Sequence, residues 1–218
     1  MATGSMLESI SLVKPNLEAL LDSAAPGYGR ELLDLLEAGY AGRPYHNIHH
    51  IEGMLAFSAD AMPAMSFRDE FILAVGFHDY VYEPGGAANE ERSADEAVRW
   101  IAQRRLDIAV EWVVELILAT KDHRTDLDGP LKVEKSWIVD ADLIGFARDW
   151  RQNAENIRRE FAHVSDGEWV AGRRAFLEAF AARRPFYCVP ANEERFGDLA
   201  RRHAQLEMLA LSNPGASP

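Results

Sequence analysis

Histidines and aspartates occur in this sequence at spacings that suit a metal ion. His46 and His50 are four residues apart, so on a helix they would project from the same face. His78 and Asp79 are adjacent in a mostly apolar segment. An imidazole and a carboxylate buried there are costly unless they are paired or bind a cation. The doublet is therefore the most informative local feature of the chain.

Two more carboxylates and one more histidine extend this pattern. Asp140 and Asp142 stand in an apolar run, and His123 follows another apolar segment. A single histidine beside a core is more often hydrogen-bonded than metal-bound, and Asp140 could serve as a helix N-cap. The combination is more specific, because two imidazoles and two carboxylates form the mixed donor set that suits a divalent transition ion better than calcium.

The elements that must position these residues are predicted to be helices. The chain has 32 Ala against 12 Val and 3 Thr, a mixture that favours helix over strand. We expect an all-α fold with a single helical bundle over residues 6–211 and the metal site at its centre. Residues 1–5 are interpreted as an expression remnant and residues 212–218 as a flexible tail.

Apolar periodicity and helix breakers place the predicted helices. Their approximate ranges are 9–21, 29–39, 46–62, 66–82, 89–105, 107–120, 134–146, 150–163, 166–183 and 192–211. The range 66–82 is apolar on nearly all sides, so this helix is predicted to be central. Four side chains are predicted to cap the helices that follow them, namely Ser66, Asn89, Asp107 and Asp166.

Composition excludes several classes of protein. With 35 acidic and 23 basic residues the formal charge is −12, which argues against a partner that is a nucleic-acid polymer or a membrane surface. The apolar stretch from Phe71 to Phe77 is too short to span a bilayer. The single Cys188 excludes an internal disulfide framework and suits a reducing compartment. We therefore expect a cytoplasmic protein, either a monomer or a homodimer.

The ordered motifs resemble the HD-domain superfamily of metal-dependent phosphohydrolases, which carry a His, a His-Asp doublet and a distant Asp. The chain is most similar to a bacterial branch described as predicted metal-dependent HD superfamily hydrolases. The resemblance covers roughly residues 30–210. The matching segments are Tyr45–Ile51, Phe77–Tyr82, Asn89–Ala94, Ala119–His123, Asp140–Leu143 and Ile157–Phe161.

The resemblance implies one divalent metal ion with four ligands, His50, His78, Asp79 and Asp142. Asp142 is preferred to Asp140 because HD proteins usually place this ligand in an Ala-Asp-X-Leu context, and Ala141-Asp142 matches its first two positions with Leu143 next in the chain. Asp140 would then cap the helix or orient a ligand. HD proteins that bind two metals need an extra histidine pair before the last Asp, and only His123 lies there. The ion stays open among manganese, iron, cobalt, nickel, zinc and magnesium.

The predicted activity is hydrolysis of a phosphate ester or nucleotide phosphate by a water that the ion activates. Asp79 is the predicted proton acceptor, because it can contact both the ion and the water. Further residues are predicted to assist catalysis or to contact the substrate, namely His46, Glu90, Arg92, Lys121, His123 and Arg158. Two alternatives use the same pocket: an iron oxygenase of the HD type and a non-catalytic nucleotide-binding regulator.

Overall fold

A computed structural model describes residues 16–212, which form ten α-helices and two 3₁₀ helices with no β-strand. The α-helices are α1 (Leu17–Ala24), α2 (Gly29–Gly39), α3 (Ile48–Phe57), α4 (Arg68–Phe77), α5 (Asn89–Arg104), α6 (Val110–Asp122), α7 (Lys132–Asp142), α8 (Trp150–Glu160), α9 (Asp166–Ala182) and α10 (Pro190–Ser212). The 3₁₀ helices are Met62–Ala64 and Leu143–Ala147. The all-α prediction is confirmed. The predicted remnant at 1–5, the predicted helix before residue 16 and the predicted tail beyond Ser212 lie outside the described residues.

The helix α4 lies at the centre of the bundle, as its apolar pattern predicts. Every residue from Phe71 to Phe77 is buried, and α4 packs against α1, α3, α5, α6 and α7. One connected core of buried apolar side chains extends from Leu17 in α1 to Ala200 in α10. Burial of this apolar surface is the main force that holds the helices together. None of the helices in residues 16–212 has the length and apolar character needed to cross a bilayer.

Two predicted N-caps are wrong because carboxylates distant in sequence take their place. Ser66 does not cap α4. Instead, the N–H of Phe67, the residue just before the helix, donates to the Glu134 carboxylate at 3.1 Å. Asp107 does not cap α6, because the helix begins three residues later and the N–H of Ala109 donates to Glu70 at 3.2 Å. At both helix starts, a side chain from another helix accepts a hydrogen bond from a backbone N–H, where a side chain next to the helix was expected to do so.

Asn89 and Asp166 are also not N-caps, because each is the first residue of its helix. The Asn89 side chain accepts from the N–H of Glu83 at 3.0 Å and donates to its carbonyl at 2.9 Å, which closes the loop before α5. Ser165 caps α9 by accepting from the N–H of Glu168 at 3.4 Å, and its hydroxyl donates to that carboxylate at 2.6 Å. The Ser165 side chain thus satisfies a backbone donor in the first turn of α9, which is the role of an N-cap.

The helices that carry the candidate ligands are shorter than predicted. Asn47 caps α3, so His46 precedes the helix and does not share a helical face with His50. α4 ends at Phe77, and His78 begins the loop that follows. The predicted helix over 134–146 is α7 together with the second 3₁₀ helix. The candidate ligands therefore come from helix ends, where backbone and side-chain directions are less constrained by helical geometry.

Candidate metal centre

The loop that carries the His-Asp doublet is held by two residues from the end of α2 and the segment after it. The Tyr40 hydroxyl donates to the carbonyl of Gly76 at 3.0 Å and accepts from the N–H of Asp79 at 3.3 Å. Arg43 donates to the carbonyl of Asp79 at 2.5 Å and to that of Tyr80 at 2.8 Å. These contacts satisfy main-chain groups at the end of α4 and fix the direction of the doublet. The sequence pattern offered no signal for either residue.

Four side chains meet beside this loop, His50 from α3, His78 and Asp79 after α4, and Asp142 at the end of α7. One ligand atom from each lies within 4.8 Å of the others. Metal–nitrogen and metal–oxygen bonds of about 2.0–2.2 Å place the donors of one shell up to about 4.4 Å apart. The cluster therefore has both the donor types and approximately the spacing to hold a metal ion.

The Nε2 atom of His78 is the clearest feature of the cluster. The ring is fully buried, and its Nδ1 donates to the carbonyl of Val75 at 2.9 Å. Nε2 lies 3.2 Å from Asp79 Oδ2 and 3.7 Å from Asp142 Oδ1, yet it has no hydrogen-bond partner. A buried ring nitrogen that makes no hydrogen bond is uncommon, and a metal-ligating histidine commonly donates its other ring N–H to a carbonyl. The residues present thus fit a metal ion.

Opposing electrostatic effects act on the imidazoles and carboxylates. Burial lowers the pKa of His50, and Asp142 only partly offsets this, so the ring favours the neutral form that ligates a metal. Burial also opposes the charged form of His78, but Asp79 and Asp142 outweigh it and raise the pKa of His78 well above 6.5. Burial alone would raise the pKa of Asp79, whereas His78 and His46 bring it down to about 2. A cation can therefore replace the proton on His78 between two ionised carboxylates.

His46 is held at the edge of the cluster by Glu160, the last residue of α8. The His46 Nδ1 lies 2.6 Å from Glu160 Oε2, and Glu160 Oε1 accepts from the N–H groups of Tyr45 and His46 at 2.9 and 2.8 Å. The other ring nitrogen, Nε2, is 3.8 Å from Asp79 Oδ2. Glu160 lies in a segment that matched the HD pattern. Its contact with His46, which is 114 positions away in the sequence, is shown only by the tertiary structure.

His123 contacts the cluster through the carboxylate of Asp142. It follows α6 directly, and its φ of 47° lies in the left-handed region, which is uncommon for a residue with a side chain. Its Nε2 lies 2.8 Å from Oδ2 of Asp142, while Oδ1 faces His50 at 3.0 Å. His123 therefore fixes the orientation of the Asp142 carboxylate.

A cavity of about 460 Å³ opens beside the cluster. Asp79 and Asp142 form part of its wall, and so do three further residues predicted for the site, His46, His123 and Glu90. Burial raises the pKa of Glu90, and the charge of Asp79 adds to this effect. The structure therefore brings these predicted residues together around one space.

Three predicted anion-binding cations do not reach the cavity. Arg158 donates to two main-chain carbonyls just after α8 at 2.6 and 3.3 Å. Lys121 pairs with Glu91, and Arg92 pairs with Glu83 at 2.8 Å. None of the three lines the cavity beside the cluster. The prediction that these three side chains bind a substrate phosphate is therefore wrong, because each of them is already paired with other groups of the protein.

Asp140 is buried in α7 but faces away from the cluster. Its carboxylate accepts from the N–H groups of Cys188 and Val189 at 2.6 and 3.0 Å and from the Asn192 side chain at 2.8 Å. Asp140 thus ties α7 to the beginning of α10. The predictions that it caps its own helix or orients a metal ligand are wrong, and Asp142 is the carboxylate that joins the cluster.

The cavity wall also holds a buried ion pair that the sequence pattern did not indicate. Arg173 on α9 donates to both carboxylate oxygens of Glu207 on α10, at 2.7 and 3.1 Å. Their side chains are only 10% and 6% exposed. The two residues are 34 positions apart on separate helices, so neither helical periodicity nor local spacing relates them.

No protein-family model, curated protein or solved structure matches this chain.

Proposed function

We propose that this protein is a metal-dependent hydrolase of the HD type that cleaves a phosphate ester or a nucleotide phosphate. The observation that carries the proposal is the buried Nε2 of His78, which lacks a hydrogen-bond partner beside two carboxylates at the wall of a cavity. The resemblance of the ordered motifs to HD-domain proteins supports the same activity. The proposal names a single divalent ion and leaves its identity open.

Two imidazoles and two carboxylates would hold the ion, namely His50, His78, Asp79 and Asp142. When bound, a divalent ion supplies Lewis-acid chemistry, since it polarises a phosphoryl oxygen and lowers the pKa of water. The two carboxylates line the cavity, whereas the imidazoles of His50 and His78 do not. A substrate phosphate would therefore approach from the cavity side. His123 would keep the Asp142 carboxylate in place during this approach.

Asp79 is the proposed proton acceptor, because its carboxylate forms part of the cavity wall. His46 offers the next position for that proton, since its Nε2 lies 3.8 Å from Asp79 Oδ2. Burial opposes a charge on His46, but Asp79 and Glu160 outweigh it and raise the pKa of His46 above 6.5. Glu160 therefore both orients the ring and stabilises its protonated form.

The number of ligands favours one ion over two. Within residues 16–212, the four-residue group is the one cluster of three or more histidine, cysteine or acidic side chains that could hold a metal. This supports the hydrolase over the iron-oxygenase alternative, whose relatives require a second set of histidines. The regulator alternative shares the pocket and differs from the hydrolase in having no turnover.

Phosphate release measured with each candidate ion, over a panel of monoesters and nucleotides, tests the proposal. The variant Asp79→Asn is expected to lose about 10²–10⁴-fold in kcat, the range typical of a general acid or base. Asp60→Asn is the matched control, because this aspartate is exposed and lies outside the cavity. Turnover that survives the loss of bound metal would contradict the mechanism, and tight nucleotide binding without turnover would favour the regulator.

A further inference from the structure

The cavity beside the metal cluster has an aromatic wall formed by α8 and α9. Trp150 and Phe161 contribute from α8 and the residue after it, and Trp169 and Phe176 contribute from α9. The ring centroids of Phe161 and Trp169 are 5.2 Å apart. No residue of α8 is fully buried, because its apolar face covers this cavity instead of packing into the core. The wall therefore presents apolar surface that a bound organic group would bury.

The charged groups on the cavity wall are mainly negative. Four carboxylates line it in addition to the buried ion pair, Asp79, Glu90, Asp142 and Glu168. Among the described lining residues, the arginine Arg173 is the one lysine or arginine, and its charge is balanced by Glu207 through two hydrogen bonds. The ring of His46 also lines the cavity, but its charge is balanced by Glu160. A divalent ion would offset two of the carboxylates, so little positive charge is left for a second phosphate. An additional anionic group would therefore enter an unfavourable potential.

We propose that the substrates are monophosphate esters of flat, largely apolar alcohols, with the organic group held between α8 and α9. This inference rests on the proposed function and narrows its substrate class. The single phosphate lies at the metal cluster, and the aromatic wall contacts the alcohol portion. Diphosphates and triphosphates are disfavoured, because Glu207 neutralises the charge of Arg173 on the cavity wall. A cavity of about 460 Å³ lies within the usual size range for small-molecule sites.

A pair of esters with leaving alcohols of similar acidity tests the apolar contact. Naphthylmethyl phosphate is expected to exceed ethyl phosphate by roughly a hundredfold in kcat/KM, since burial of an aromatic group contributes about 2–3 kcal/mol. Naphthylmethyl diphosphate is expected to react at least about tenfold less efficiently than the monophosphate, because it adds a charge to an acidic cavity. Equal kcat/KM values for the two monophosphates, or a preference for the diphosphate, would overturn the inference.

The role of the buried pair is tested by Glu207→Gln. The amide oxygen can still accept a hydrogen bond from Arg173, but the wall gains one net positive charge. The ratio of diphosphate to monophosphate kcat/KM is expected to rise roughly tenfold. Glu178→Gln is the matched control, since it makes the same charge change at an exposed position of α9 outside the cavity. An equal ratio in both variants would show that Glu207 does not determine specificity.

Binding of the product alcohol separates this inference from the proposed function. Naphthylmethanol is titrated into metal-free protein and binding is followed by calorimetry, with Trp150→Ser as the variant that removes part of the wall. Binding that weakens in this variant, with no ester turned over by any ion, would overturn the proposed function and support the ligand class. Turnover of esters without alcohol binding or aromatic preference would overturn this inference and leave the hydrolase standing.

Discussion

Replacing Glu160 by alanine should destabilise the protein strongly, although the residue lies outside the metal cluster. The side chain is 3% exposed and makes three hydrogen bonds, to His46 Nδ1 at 2.6 Å and to the N–H groups of Tyr45 and His46 at 2.9 and 2.8 Å. A hydrogen bond to a charged group contributes about 1.5–3 kcal/mol, and such terms add incompletely. We expect Glu160→Ala to lower the free energy of unfolding by about 3–5 kcal/mol.

Thermal and chemical unfolding followed by circular dichroism measures this effect. At about 2–4 °C for each kcal/mol in a chain of this size, Tm should fall by about 6–20 °C. Glu155→Ala is the matched control, because this residue is exposed on the same helix, and it should change stability by less than about 0.5 kcal/mol. A loss below about 1 kcal/mol in Glu160→Ala would refute the claim that Glu160 anchors His46.

The pH dependence of this loss has a defined sign. Burial would raise the pKa of Glu160, but His46 and the backbone donors lower it below 4.5, so its contribution is present above pH 4.5 and lost as the pH falls through the lowered value. The raised pKa of His46 makes its contribution complete below pH 6.5 and lost as the pH rises through the raised value. The difference between wild type and Glu160→Ala should therefore be largest between pH 4.5 and 6.5.

Three further predictions concern the metal and the cavity. Metal affinity should rise about tenfold per pH unit near neutrality, because the raised pKa of His78 means that the metal must displace a proton from its ring. Calorimetry in buffers of different ionisation enthalpy should show the release of about one proton for each metal ion bound. A divalent ion at about a thousandfold excess over its Kd should raise the free energy of unfolding of the wild type by about 4 kcal/mol, which thermal unfolding measures as a rise in Tm. An equal rise in Tm of the Asp142→Asn variant would contradict the assignment of Asp142 as a ligand. Gly145→Ala should cost about 1–3 kcal/mol in chemical denaturation, because its methyl group would overlap the Tyr45 hydroxyl. Gly172→Ala, which meets no atom within 4 Å, should be neutral or stabilising.

The composition predicted the all-α class, and the resemblance to HD proteins predicted the four residues that meet in the cluster. The doublet His78–Asp79 was informative because polar groups in an apolar segment require a partner, and that requirement can be inferred without a structure. The same reasoning pointed to Asp140 and Asp142 alike, and only the resemblance to HD proteins favoured Asp142. Helix positions were predicted to within a few residues in most cases, since apolar periodicity records which face of each helix is buried.

The residues that position the cluster could not be predicted from local patterns. Glu160, Arg43 and Tyr40 act through contacts with residues between 36 and 115 positions away, which no periodicity records. The predicted caps at Ser66 and Asp107 were wrong for the same reason, because Glu134 and Glu70 from other helices accept from main-chain N–H groups at the beginnings of α4 and α6.

The cations Arg92, Lys121 and Arg158 were misassigned because sequence alone does not show that each has an acidic or carbonyl partner elsewhere. Their basic side chains fitted the expectation of an anionic substrate. Only the arrangement of the helices shows that these charges are already engaged outside the cavity.

The most direct test of the account is anomalous diffraction from crystals grown with excess manganese. We predict one strong anomalous peak, coordinated by nitrogen atoms of His50 and His78 and by carboxylate oxygens of Asp79 and Asp142 at about 2.0–2.3 Å. Manganese bound at another place, with no anomalous peak among these four side chains, would contradict the metal centre and the hydrolase proposed from it.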